Sequence, residues 1–241
     1  MANTYSKAAK GDAAAINEIY ESCAGRFSAL SLLLTGSSQA QAKVLPQLWE
    51  RLMNGVKEGR IKSLEDLKSE GLSALTELSR TQVAKTNPKA FSPGGAKECE
   101  EVPEVGTRLF SGDPLKGLES LTKGLQTLSP IQRFAVVLRS FGVDFNTIAW
   151  AVNQSESLTK GIYLKGLELL EGAFNAQASK SYSIDIPKAD QLSELLALSL
   201  DKAAVPAEAD RAVKVQLRAF EVAKLDAHGL FRWHQLGTLL V

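Results

Sequence analysis

The stretch "LSPIQRFAVVLRSFGVDFNTIAWAVNQSESLTKGIYLKGLELL" runs from Leu128 to Leu170 and divides into three helices separated by two breaks. Ser129 takes a cap position, and Pro130 follows as the first helical residue, where a missing N–H costs least. Ile131, Phe134, Val137 and Leu138 fall on one face of this helix, and Gly142 ends it. Phe145, Ile148, Ala149 and Val152 set out a second, short helix. "NQSES" then turns the chain, with Asn153 where a left-handed residue is wanted. Leu158, Ile162, Leu169 and Leu170 line the third helix. Two short helices joined by so tight a turn make a helix-turn-helix.

The same spacing extends outward in both directions. Ile16, Ile19, Tyr20 and Cys23 form a helical stripe that continues through Phe27, Leu30 and Leu34. "TGSS" at 35–38 breaks it and supplies hydroxyls to cap the next helix, whose apolar face is Leu45, Leu48, Trp49 and Leu52, with Pro46 placed near its start. A further helix is predicted from Ser63 to about Arg80, with Leu64, Leu67, Leu72, Leu75 and Leu78 facing inward. From Asn87 to Pro114 the pattern dissolves into Pro, Gly and acidic residues, which reads as a poorly ordered soluble spacer. Helical spacing resumes at Leu115 and lasts to about Phe174. Beyond a second break, two helices are predicted at about 190–202 and 206–228, with Pro206 suited to the first turn of the latter. The end, "GLFRWHQLGTLLV", is apolar and aromatic and calls for a docking surface. No run alternates long enough for a sheet. The expected architecture is all-α: a helical domain over 1–86, a linker over 87–114, a helix-turn-helix domain over 115–175 and a helical extension over 176–241.

Composition narrows the function. The chain has 241 residues, 44% of them hydrophobic, and 28 Lys and Arg against 27 Asp and Glu. A dedicated nucleic-acid binder usually carries a basic excess. The charge is uneven, however: 1–90 is basic by three and 91–115 acidic by three. Cys23, Cys99, His228 and His234 have no zinc-ligand or catalytic spacing, and no Gly-rich phosphate loop follows a strand. Neither catalytic residues, metal nor cofactor are expected, and an enzyme is disfavoured. With no signal peptide and no apolar run of ~18 residues, a cytoplasmic protein without membrane contact is expected.

Two stretches carry a resemblance. "LSPIQRFAVVLRSF" followed by "FNTIAWAVNQS" resembles region four of bacterial sigma factors of the extracytoplasmic-function type, with Ile148, Ala149 and Ser155 at matching places. "YSKAAKGDAAAINEIYESCAGRFSALSLLLTGSSQAQAKVLPQLWERL" resembles region two of the same family, from its "A-x-x-G-D-x-x-A" start through the "L-T-G" break to the Trp-containing helix. The matches cover about 1–80 and 116–172. The resemblance implies contact with promoter DNA by Ser155, Ser157, Thr159, Lys160 and Lys165 on the recognition helix. It also implies an approach to DNA by Arg51, Arg60 and Lys62 around "MNGVKEGRIK", and contact with RNA polymerase core by Gln41, Gln47, Trp49 and Glu50. From spacing alone, Trp49 and Trp150 read as core or interface anchors.

The departures point elsewhere. The helix after the break has Gln39, Gln41 and Lys43 and no acid before Glu50, where the family carries acidic residues that grip the polymerase. The segment 128–175 is neutral, and Gly161 and Gly166 each cost its last helix about 1 kcal/mol relative to Ala. "LSELLALSLDKAAVPAEADRAVKVQLRAF" resembles the helical start of anti-sigma domains. The expected function is therefore a sigma-factor-like transcription regulator acting with RNA polymerase and promoter DNA. The alternative is a divergent sigma-like module that binds an anti-sigma-type regulator or its own tail and no longer binds DNA.

Overall fold

The computed structural model describes residues 2–103, 114–177, Leu196 and 205–236, with side chains over 4–103, 120–176, 196 and 205–221. The described residues form helices and loops without a strand. The helices are α1 (Ala2–Ala9), α2 (Ala13–Thr35), α3 (Ser38–Lys57), α4 (Leu64–Thr86), α5 (Pro114–Thr127), α6 (Pro130–Ser140), α7 (Phe145–Val152), α8 (Glu156–Gln177) and α9 (Ala207–Leu236).

Local chemistry sets the boundaries. Asp12, Ser37 and Ser63 cap α2, α3 and α4 by accepting backbone N–H bonds from Ala15, Ala40 and Asp66. Gly36 ends α2 in the left-handed region at φ 68°. The α4 helix continues to Thr86, a turn and a half past the expected end near Arg80. Pro46 departs from expectation: α3 begins at Ser38, so the proline lies inside the helix rather than in its first turn. Its missing N–H removes one intrahelical bond, and packing on both sides carries the helix across the gap.

Helices α1 to α4 pack around Trp49, whose ring meets Tyr20 at 5.0 Å and Phe27 at 5.7 Å, both edge-on. Gly71 lets α4 lie close to α2, because a Cβ there would run into the Phe27 ring. Helices α5 to α8 close over Ile131, Phe134, Ile148, Val152, Ile162, Leu170 and Phe174.

One hydrophobic core runs through both groups of helices. Helix α2 packs on α5 and α6, and α4 packs on α7. Arg133 ties this junction. It is 6% exposed and donates to the carbonyls of Leu34 (3.3 Å), Thr35 (3.4 Å) and Leu128 (3.4 Å). Burial pushes its guanidinium below the usual arginine value. The C-terminal end of α2 supplies the compensating negative dipole.

The expected spacer also differs. Residues 87–103 run as turns and coil packed against the helices, and 104–113 lie outside the described residues. Phe91 meets Phe134 edge-on at 5.1 Å and lies under the Arg80 guanidinium at 5.7 Å. Ala90 is buried, and Ala96 and Val102 pack against the core. A few apolar side chains thus anchor a segment whose composition resembles a linker.

Helix α9 lies along α3 and touches α2. It buries Ala209, Val213 and Leu217, and Tyr20 Oη donates to Asp210 at 2.7 Å. Burying Val213 and Leu217 contributes about 1.5–3 kcal/mol each. Leu196 is helical and buried; the remainder of the helix expected at 190–202 lies outside the described residues, as do the side chains of Phe231 and Trp233.

Candidate nucleic-acid interface

The expected three-helix pattern at 128–170 is present as α6, α7 and α8. Ser129 and Gln132 form a capping box at the start of α6. Asp144 caps α7, accepting from Thr147 N at 2.8 Å and from the Thr147 hydroxyl at 2.6 Å; this hydroxyl and neighbouring backbone N–H groups hold its carboxyl below the usual carboxylate range. Asn153 closes α7 in the left-handed region (φ 57°, ψ 52°), and Gln154 N returns to Ala149 O at 3.0 Å. Ser155 then caps α8 by accepting from Leu158 N at 3.2 Å. Ile148, Ala149, Val152 and Ile162 are buried between the helices, which fixes their crossing.

Of the candidate DNA contacts on α8, Thr159 points inward: it is fully buried and donates to Ser155 O at 2.8 Å. That bond and its burial make it a packing residue here. Ser155, Ser157, Lys160 and Lys165 lie toward the surface, but segment 94–101 crosses them. Lys160 Nζ pairs with Glu156 at 2.8 Å and donates to Glu100 O at 3.1 Å, which leaves its side chain 21% exposed. The bond to Glu156 raises its pKa. Lys165 Nζ donates to Gly94 O at 3.2 Å, and Cys99 N donates to Ser157 O at 3.0 Å. Gln154 Nε2 donates to Phe91 O at 3.1 Å at the edge of the same contact.

Gly161 explains how the segment comes so close. A Cβ built there would fall inside contact distance of the Lys97 carbonyl. From sequence, Gly161 was only a cost to helix stability; the structure makes it the seat of a backbone crossing. A legible signal was "PGG" at 93–95, where Gly94 and Gly95 both take positive φ, at 61° and 75°.

The second basic set is partly neutralised. Arg51 makes a two-pronged pair with Glu77 at 2.7 and 3.1 Å, and Arg60 pairs with Glu58 at 2.9 Å and Glu70 at 3.4 Å. Lys62 is exposed, and its backbone N–H caps onto Asp66 at 3.0 Å.

Among the residues assigned to polymerase contact, Gln41 and Trp49 are buried. Gln41 Nε2 donates to Ser28 O at 2.7 Å and to Ser28 Oγ at 2.9 Å, bridging α3 to α2. Both are therefore core residues in this fold. Gln47 and Glu50 are exposed and share a stripe with Gln39, Lys43 and Asn54. Of the two readings of Trp150, as a core or an interface anchor, the structure removes the core one: it is 79% exposed. Helix α7 buries Ile148, Ala149, Ala151 and Val152, and position 150 lies on the opposite side. Its ring edges a groove of about 190 Å³ between α4 and α7, lined by Leu72, Thr76, Leu138, Val143 and Ala151.

Among the described residues, no group of three or more His, Cys, Asp or Glu could hold a metal ion, and no helix is long and apolar enough to cross a membrane. No family model, curated protein or solved structure matches the chain.

Proposed function

We propose that the chain is a sigma-factor-like transcription regulator that acts with RNA polymerase core and promoter DNA. The observation that carries this reading is the helix-turn-helix of α7 and α8, capped by Asp144, closed by Asn153 and restarted by Ser155. It follows the Trp49-centred group of helices in the chain order that the resemblance implies. The exposed stripe Gln39, Lys43, Gln47, Glu50 and Asn54 offers α3 a polar face for polymerase, and Ser157, Lys160 and Lys165 offer α8 a face for phosphate. Binding to core polymerase with a promoter-like duplex at ~50 mM salt tests it. A ternary complex weakened by Glu50→Lys supports the reading; no complex with core polymerase overturns it.

A second reading has its own observation. Segment 94–101 occupies α8, and α9 occupies a face of α3, within a segment pattern that is electrically neutral over 128–175. A divergent sigma-like module that binds its own segments, or an anti-sigma-type regulator, fits these contacts without DNA. Polymerase binding without any salt-dependent duplex binding would select this second reading.

A further inference from the structure

We infer that residues 94–101 form a displaceable cover over α8, competing within the chain for the surface that duplex DNA would use. This rests on the reading of α8 as the helix that meets DNA.

The contact has the character of a mimic. Its bonds to the lysines are a carbonyl oxygen of Glu100 on Lys160 and one of Gly94 on Lys165, the kind of oxygen acceptor that a phosphate also presents. The covering segment carries Glu98, Glu100 and Glu101, all exposed, beside those lysines. A phosphate backbone brings the same sign of charge to the same groups.

The contact is also specified by sequence. Gly161 is the helical position over which the Lys97 carbonyl passes, and no side-chain-bearing residue would leave room. A glycine also weakens α8 relative to alanine, so position 161 favours the crossing over the helix.

Release need not unfold anything. The larger apolar anchors stand outside the covering stretch, with Phe91 and Ala90 before it and Val102 after it; within it, Ala96 packs half-buried against the core, a small side chain that must come away as the segment lifts. Between them, the bonds to α8 are one main-chain pair, Cys99 N to Ser157 O, and the two lysine bonds at the surface. The segment can lift between fixed ends while α8 keeps its own hydrogen bonds and its packing on α6. A duplex that took both lysines would gain a salt dependence of about two units of slope.

Gly161→Ala separates cover from support, because it favours the helix while evicting the Lys97 carbonyl. Wild type, Gly161→Ala, and Gly161→Ala combined with Lys160→Gln and Lys165→Gln should be titrated with a fluorescent ~25-base-pair duplex across a salt series. Amide exchange over 94–101 is followed in parallel. The expected result is faster exchange in Gly161→Ala, at least tenfold tighter duplex binding at ~50 mM salt, and loss of that gain in the triple variant. Faster exchange with unchanged duplex affinity overturns the inference. Should Gly161→Ala fail to fold by circular dichroism, Glu98→Gln, Glu100→Gln and Glu101→Gln together decide: tighter duplex binding supports the cover, and none overturns it. Because no polymerase is present, failure of the polymerase reading leaves this result intact. Conversely, promoter complexes formed equally well with polymerase by wild type and Gly161→Ala would support the function while overturning the cover.

Discussion

The guanidinium of Arg133 in α6 sits against the last turn of α2, with Nε 3.3 Å from the carbonyl oxygen of Leu34, ninety-nine residues away in sequence. Among the described residues, its charge is met by the carbonyls of Leu34, Thr35 and Leu128 rather than by a carboxylate. A planar fork with several donors can serve carbonyls in different directions, which a lysine cannot. Gly36 makes the approach possible, because a Cβ there would lie 2.7 Å from the Arg133 terminal nitrogen.

Arg133→Met should therefore destabilise the chain by about 3 kcal/mol, since it strands buried acceptors between the two groups of helices. Thermal denaturation should show a fall in Tm of roughly 10 °C. Arg133→Lys should recover only part of it. Gly36→Ala should cost about 1–2 kcal/mol through the left-handed backbone, with a further loss from displacing the guanidinium. An Arg133→Met protein that melts like wild type would mean that the junction is held by apolar packing alone.

The two described tryptophan side chains should behave in opposite ways. Trp49→Ala removes the ring at the centre of the first helical group and should cost about 3–5 kcal/mol. Trp150→Ala removes a ring that is 79% exposed and should change stability by no more than about 0.5 kcal/mol. Iodide quenching gives an independent reading, because Trp150 fluorescence should be accessible and that of Trp49 shielded. Equal losses of stability from the two variants would contradict the placement of α7.

Docking of α9 should depend on pH through Asp210. Burial opposes ionisation of this carboxyl, but hydrogen bonds from Lys214 and Tyr20 outweigh it and hold the carboxyl below the usual carboxylate range. A depressed carboxylate contributes stability that is fully present above the unfolded-state pKa and lost as pH falls through the folded one. The α9 contact should thus be constant from neutral pH down to about 4 and weaken below that. Burial, and then the bond to Asp210, push the Tyr20 phenol upward, so it stays neutral over this range. Amide exchange of α9 between pH 3 and 6 in wild type and Asp210→Asn is the measurement; an identical pH response in the two would remove Asp210 from the account of docking.

Periodicity and punctuation made most of the helices legible. Ser37, Ser63, Pro130 and Asn153 lie at caps, starts or turns as their chemistry requires, because those effects are local. What sequence concealed depends on contacts between distant positions. Gln41 reads as a surface amide on a polar helix face, yet Ser28 waits opposite and draws it into the core. Trp150 reads from its spacing as a core or interface anchor, and only the structure shows that it lies off the buried face of the short α7. Arg133 looks like one of several cations on a neutral segment; its role appears only when the end of α2 is beside it. The composition of 87–103 is that of a linker, because Pro, Gly and Glu dominate it and neither the single ring of Phe91 nor the gap at Gly161 weighs in composition.

The amide hydrogen of Cys99 reports on the cover over α8, since it bonds to Ser157 O at 3.0 Å and to nothing in its own segment. Its exchange should be followed by NMR in the wild-type protein at neutral pH, alongside the Gly161→Ala variant. Protection well above the unstructured rate in wild type, lost in Gly161→Ala while the α8 amides stay protected, is the expected result. Exchange of Cys99 at the unstructured rate in wild type would show that the segment does not rest on the helix, and would contradict the covered interface described above.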